Sequence, residues 1–262
     1  MIHLTDIATK NYLRMKHIFL ITTILITHAF SHAQVREHTS NTNGWFMYFG
    51  NHKLSERFGI HAEVQFRRND IVTENQQLLL RAGLDFYLRT GARFTAGYGF
   101  IQTHPYGEFA VPNAFPEHRI WQQFLTTQSI GKVKLSHRYR LEQRMIGNAS
   151  TGEFENGRFE NRVRYMARMV VDINKSTNPL YLAMYDEIMV NFGKEVGYNL
   201  FDQNRLYGAL GVTLSKALKL EVGYVYQLVQ LRSLSADSKI RMEDNHTFQL
   251  GLFSTLPFYK AE

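Results

Sequence analysis

Between Val133 and Met145 the chain alternates so strictly that both faces of a single strand can be read from it directly. Val133, Leu135, His137, Tyr139, Leu141, Gln143 and Met145 share one parity, while Lys134, Ser136, Arg138, Arg140, Glu142 and Arg144 share the other. Successive side chains of a strand point to opposite sides, so this is an apolar wall backed by a charged one. The next segment repeats it, with Phe159, Val163, Tyr165, Ala167, Met169 and Val171 opposing Arg158, Glu160, Arg162, Arg164 and Arg168. Long two-faced strands of this kind fit a transmembrane β-barrel with lipid outside and a polar lumen inside. The facing follows from cost: a one-residue slip would send Lys134, Arg138, Arg140 and Arg144 to the lipid side, at about 2–4 kcal/mol for each cation at midplane.

The chain's start points to export. Lys10, Arg14, Lys16 and His17 precede an apolar run from Ile18 to Ile26, and the small-residue site Ser31-His32-Ala33 stands before Gln34. A basic start, a short apolar core and small residues at the cut form a secretory signal peptide over residues 1–33, with Met15 an alternative start. The run is shorter than the roughly 20 residues of a spanning helix. Residues 34–262 are then expected to form one outer-membrane domain. No cysteine is present, so a disulfide framework or thiolate metal site is excluded. With 44% hydrophobic residues and a mean hydropathy of −0.29, a bundle of membrane helices is excluded too. The net charge of +7 lies partly in the leader and largely on the strand face assigned to the lumen, so nucleic acid is not an expected partner.

Eleven strands are visible: Gly44–Leu54, Phe58–Arg68, Gln76–Arg89, Arg93–Thr103, Glu117–Gln128, Val133–Met145, Arg158–Asp172, Leu180–Asn191, Gln203–Leu214, Lys219–Leu231 and Asn245–Phe258. Short and long connections alternate, the asymmetry of an outer-membrane barrel whose long loops lie outside the cell. Single-chain bacterial barrels normally have even strand numbers. An extra strand at Val35–Ser40, turning at Asn41–Gly44, therefore brings the expected total to about 12, the alternative being an N-terminal segment that threads the lumen. Asp186 breaks the pattern by sharing the parity of Leu182, Met184 and Ile188, which calls for a bulge or an interfacial position. Trp45, Phe46, Tyr87, Phe100, Tyr181, Phe258 and Tyr259 stand near strand ends like an interfacial girdle. The late aromatics at Phe258 and Tyr259 resemble a recognition signal for the barrel-assembly machinery.

The run from Trp45 to Tyr48, Glu63-Val64-Gln65-Phe66-Arg67, Gln77 to Leu84, Ala96 to Phe100 and Glu117 to Gln123 set a recurring order. It continues through His137 to Arg144, Arg162 to Tyr165, Asp186-Glu187, Phe201 to Arg205 and Gly223-Tyr224. In this order the chain resembles a family of Gram-negative outer-membrane β-barrels known only as a domain of unknown function. The resemblance implies an up-and-down antiparallel barrel and brings no activity, substrate or catalytic residue.

The candidate site is the inward charge ladder. Its arginines are Arg67, Arg81, Arg119, Arg138, Arg140, Arg144, Arg158, Arg162, Arg164, Arg168 and Arg205. Its carboxylates are Glu63, Asp85, Glu117, Glu142, Glu160 and Glu187, with Glu221 beside them. Because an unpaired buried charge is expensive, the first expectation is a paired, largely plugged lumen in a monomeric structural or surface barrel. The alternative is a narrow channel favouring a small anionic solute, since arginine rings select anions. An outer-membrane lipase or protease is a third reading, but Ser136 and His137 are sequence neighbours and face opposite ways. A soluble ligand-binding barrel would invert the same parity. No cofactor, metal or catalytic residue is expected. The expected partners are outer-membrane lipid, the barrel-assembly machinery and such an anion.

Overall fold

A computed structural model describes residues 36–174 and 178–259. The expected signal peptide, the alternative start at Met15 and the mature start at Gln34 lie outside the described residues. The strands are β1 (Arg36–Lys53), β2 (Phe58–Asn69), β3 (Glu74–Tyr87), β4 (Arg93–Thr103), β5 (Phe115–Ile130) and β6 (Val133–Ile146), followed by β7 (Arg158–Asp172), β8 (Leu180–Phe192), β9 (Phe201–Ser215), β10 (Leu218–Leu234) and β11 (Ile240–Ser254). All belong to one closed barrel in which each strand pairs with its sequence neighbours and β1 closes on β11.

Among the described residues the count is eleven, not twelve. In an up-and-down sheet neighbours alternate in direction, so an odd number leaves the first and last strands pointing the same way. The β1–β11 pair is accordingly parallel, in register from Arg36↔Ile240 to Gly50↔Ser254. Every other pair is antiparallel. The segment assigned to an extra strand and turn is instead the first half of β1. Its polar residues have a different job from turning the chain: Asn41 and Asn43 point inward and both donate to the Asn245 side-chain oxygen, at 3.1 and 3.0 Å. An amide ladder along the closing seam and a loop have similar compositions.

Other boundaries differ at both ends of the barrel. Strand β11 starts at Ile240 and stops at Ser254, so the terminal aromatics follow the strand. Phe258 there stacks on His52 with centroids 4.6 Å apart, and its amide donates to the Lys53 carbonyl. Lengthened strands also shorten the β2–β3 and β10–β11 connections, leaving the loops after β4, β6 and β8 as the long ones. At the short-turn end, β5 and β6 join through Gly131-Lys132, where Gly131 takes φ 62°, a left-handed conformation that glycine adopts without a Cβ penalty.

The two faces separate as the alternation requires. Tyr139, Phe159, Val163, Leu182, Leu210, Val222 and Phe248 are exposed on the outer wall. Asp186 also faces outward, with no bulge at its position, and accepts a 2.6 Å bond from Asn204. Trp45 and Tyr181 depart from the girdle reading: both are inward and buried, packed with Met47, Ala183, Tyr207, Ala209 and Val225. Barrels of about eight strands are filled by ordinary side chains. A wider ring of eleven needs longer ones to reach the axis, and arginine, glutamine, tyrosine and tryptophan provide them.

Candidate functional site

The interior is a charge network carried by β2 to β11. Glu63 and Arg81 oppose each other on β2 and β3 and form a 2.6 Å ion pair. Arg81 also reaches Glu142 on β6, which Arg162 and Arg164 on β7 approach at 2.5 and 2.9 Å. Arg119 and Arg140 stand 3.9 Å from the same carboxylate, so five arginines surround a fully buried Glu142. From there Arg164 makes a two-pronged contact with Glu187 on β8, with both bonds at 2.9 Å. Arg138 joins Glu187 at 2.6 Å. The chain Glu63–Arg81–Glu142–Arg164–Glu187 thus crosses from β2 to β8, strands on opposite sides of the ring.

Toward the long-loop end, Glu117 receives two forks, from Arg119 at 2.5 and 2.9 Å and from Arg144 at 2.7 and 3.2 Å. Paired N–H donors from one guanidinium fix geometry as well as charge. Arg158 donates to Glu160 at 2.7 Å, and Arg232 contacts the same carboxylate from β10. Toward the short-turn end, Asp85 accepts from Thr95 at 2.6 Å and from Arg93 at 3.4 Å. Glu221 gathers Arg168 at 2.5 Å and the hydroxyls of Tyr181 and Tyr207 at 3.0 Å.

Several members of this network fall outside the sequence-derived set. Asp202 bonds Arg162 at 2.6 Å although its parity points it outward. The β8–β9 register skips from Phe201 to Gln203, so Asp202 sits on an irregularity that turns it inward. Glu243 and Arg232 lie beyond the strand ends that the sequence pattern marks, in the extensions of β11 and β10. Arg93 was legible, since it shares the parity of Thr95 and opposes Phe94 and Ala96 on the strand.

Two cavities remain inside the network. One, of about 250 Å³, lies toward the long-loop end; the other, of about 290 Å³, lies toward the short turns. Both are lined by Trp45, Glu63, Gln65, Arg67, Arg164 and Arg205, which form the waist between them. Twelve arginines line one cavity or the other. Nine of them have a carboxylate oxygen within 3.4 Å. The exceptions are Arg140 and Arg205, with none nearer than 3.9 Å, and Arg67, which has no ion pair among the described residues. Glutamines serve them instead: Gln65 and Gln77 accept from Arg67, Gln123 from Arg140, and Gln203 from Arg205. Arg67 and Arg205 also lie over the Trp45 ring, 4.2 and 5.0 Å from its centroid, where the ring's quadrupole attracts a cation.

The loop after β4 folds inward across the mouth of the first cavity. Tyr106 donates to Glu243 at 2.9 Å, Glu108 accepts from Thr39 at 2.7 Å, and Phe109 lies under Arg241. Burial holds the Tyr106 hydroxyl well above its ordinary pKa, and the Glu243 carboxylate adds to the effect, so Tyr106 remains a donor at physiological pH. Ser136 and His137 face opposite ways. Ser136 pairs with the Thr127 hydroxyl at 3.1 Å, and His137 bonds Tyr165 at 2.8 Å.

No curated protein and no solved structure matches the chain. A family described as "Protein of unknown function (DUF2490)" matches it over residues 42–237, from the closing half of β1 to the end of β10. That span contains all but the last strand of the charge network. The chain is a member of the DUF2490 family.

Proposed function

We propose that this protein is an outer-membrane β-barrel, exported by a cleaved signal peptide, that acts as a non-enzymatic structural or surface component with a lumen closed to bulk solute. The carrying observation is the chain of ion pairs from Glu63 to Glu187, which runs across the barrel between opposite strands. A conducting bore needs its charges arranged around a path. Here five of them converge on the one buried carboxylate of Glu142.

The outer wall supports the membrane setting in two ways. Its exposed side chains are mainly large and apolar. Its few polar groups are satisfied sideways: Gln122 and Gln143 exchange bonds at 3.2 Å, Asp186 takes one from Asn204, and His137 pairs with Tyr165. Hydrocarbon offers no water to satisfy such groups, so lateral pairing is what that solvent demands. Outer membranes washed with carbonate should retain the protein; its release in soluble form would overturn the membrane reading.

The second reading, a narrow anion-favouring path, draws on the three arginines without a close carboxylate. It differs measurably from the first, because it requires current through the folded protein.

A further inference from the structure

The surplus positive charge is not spread over the lumen. Two of its three carriers, Arg67 and Arg205, meet at the waist, where both cavities touch the same side chains. Arg205 is buried and Arg67 half-buried. Their glutamine partners accept hydrogen bonds but bring no negative charge. Among the described residues Glu63 is the single carboxylate of the waist, and Arg81 already holds it at 2.6 Å. Trp45 is held beside these groups by its indole N–H, which donates to Gln76 at 2.9 Å. Both guanidinium groups lie over this one ring, so they are no farther apart than the sum of their distances to it.

We propose that the waist is a binding site for a small oxyanion of the phosphate or carboxylate class, held by Arg67 and Arg205 beside Trp45. Guanidinium forks match the paired oxygens of such anions, and guanidinium groups with no carboxylate nearer than 3.9 Å are the partners that such an anion stabilises most. The first cavity has room for about eight water molecules at the volume of liquid water. Inorganic phosphate or a short carboxylate fits that space, and a polymer does not. The inference deepens the closed-lumen reading, because the bound anion completes the charge balance of the plug. It concerns the folded barrel alone, so it stands or falls separately from membrane location and conductance.

The test uses the chain's own fluorophores. The sequence contains two tryptophans, Trp45 and Trp121. A Trp121→Phe variant, refolded in detergent and verified by circular dichroism, leaves Trp45 as the sole reporter. Iodide, an anionic quencher, should quench Trp45 saturably, inorganic phosphate should compete with it, and caesium should have little effect. Arg67→Gln together with Arg205→Gln should weaken iodide's effect at least tenfold, with Arg205→Lys intermediate. Equal quenching by iodide and caesium, or quenching indifferent to phosphate and to these arginines, would overturn the site. If Trp121→Phe does not fold, calorimetric titration of the unaltered protein with phosphate decides the matter. Heat of binding that disappears in the double arginine variant supports the site, and no heat refutes it.

Discussion

Arg140 and Arg164 stand directly opposite each other in the β6–β7 ladder. Like charges in that relationship destabilise an ordinary sheet. The pair is tolerated because Glu142, one step along β6, lies between them and three further arginines. Glu142→Gln should therefore remove the one carboxylate that all five arginines share. We expect a loss of about 3–5 kcal/mol, the range for breaking a buried pair from one side. Glu37→Gln, at an outlying pair with Arg241, should cost under about 1 kcal/mol. Urea unfolding of the refolded protein measures both, and similar losses would mean that the network is not what holds the interior.

The outer wall gives a sharper distinction between lipid and water. Val163 is 47% exposed on β7. In a bilayer, Val163→Arg should cost about 2–4 kcal/mol near the midplane. On a wall facing water the same change should stay within about 0.5 kcal/mol. Unfolding from lipid vesicles separates the two outcomes.

Closure through a parallel pair can be tested by cross-linking. Thr42 and His246 are partners in the β1–β11 register, and both face outward. The chain has no cysteine of its own. Thr42→Cys with His246→Cys should form a disulfide under mild oxidation, seen as a gel shift reversed by reducing agent. A twelve-stranded barrel with a turn at Asn41–Gly44 would leave the pair unlinked.

The inward loop rests on few contacts. Tyr106→Phe with Thr39→Ala removes its bonds to Glu243 and from Thr39 to Glu108. Cleavage between Pro105 and Asn113 by added protease should then speed up several-fold, because local opening governs access. An unchanged rate would show that Phe109 and the loop's own packing suffice.

Much of this architecture was legible from parity. The β4 and β7 boundaries and the facing of β6 follow from alternation alone, because a slip of one residue reverses every side chain. The charge ladder was legible for the same reason. What parity cannot reveal is a residue off the alternation, as with Asp202, or a pairing between distant strands, as with Arg81 and Glu142. Polar composition misled at Asn41 and Asn43, where an inward amide ladder reads like a turn. Trp45 resembles an interfacial aromatic in sequence because nothing local distinguishes a ring in lipid from one beneath guanidinium groups in the lumen.

The most direct measurement is the conductance of the refolded barrel in a planar bilayer under a salt gradient, with a heat-shifted gel band as the folding control. A lumen crossed by the Glu63–Glu187 chain predicts no sustained channel steps from folded protein. Discrete, lasting conductance with anion preference would contradict the closed lumen and make the arginine-lined interior a pore.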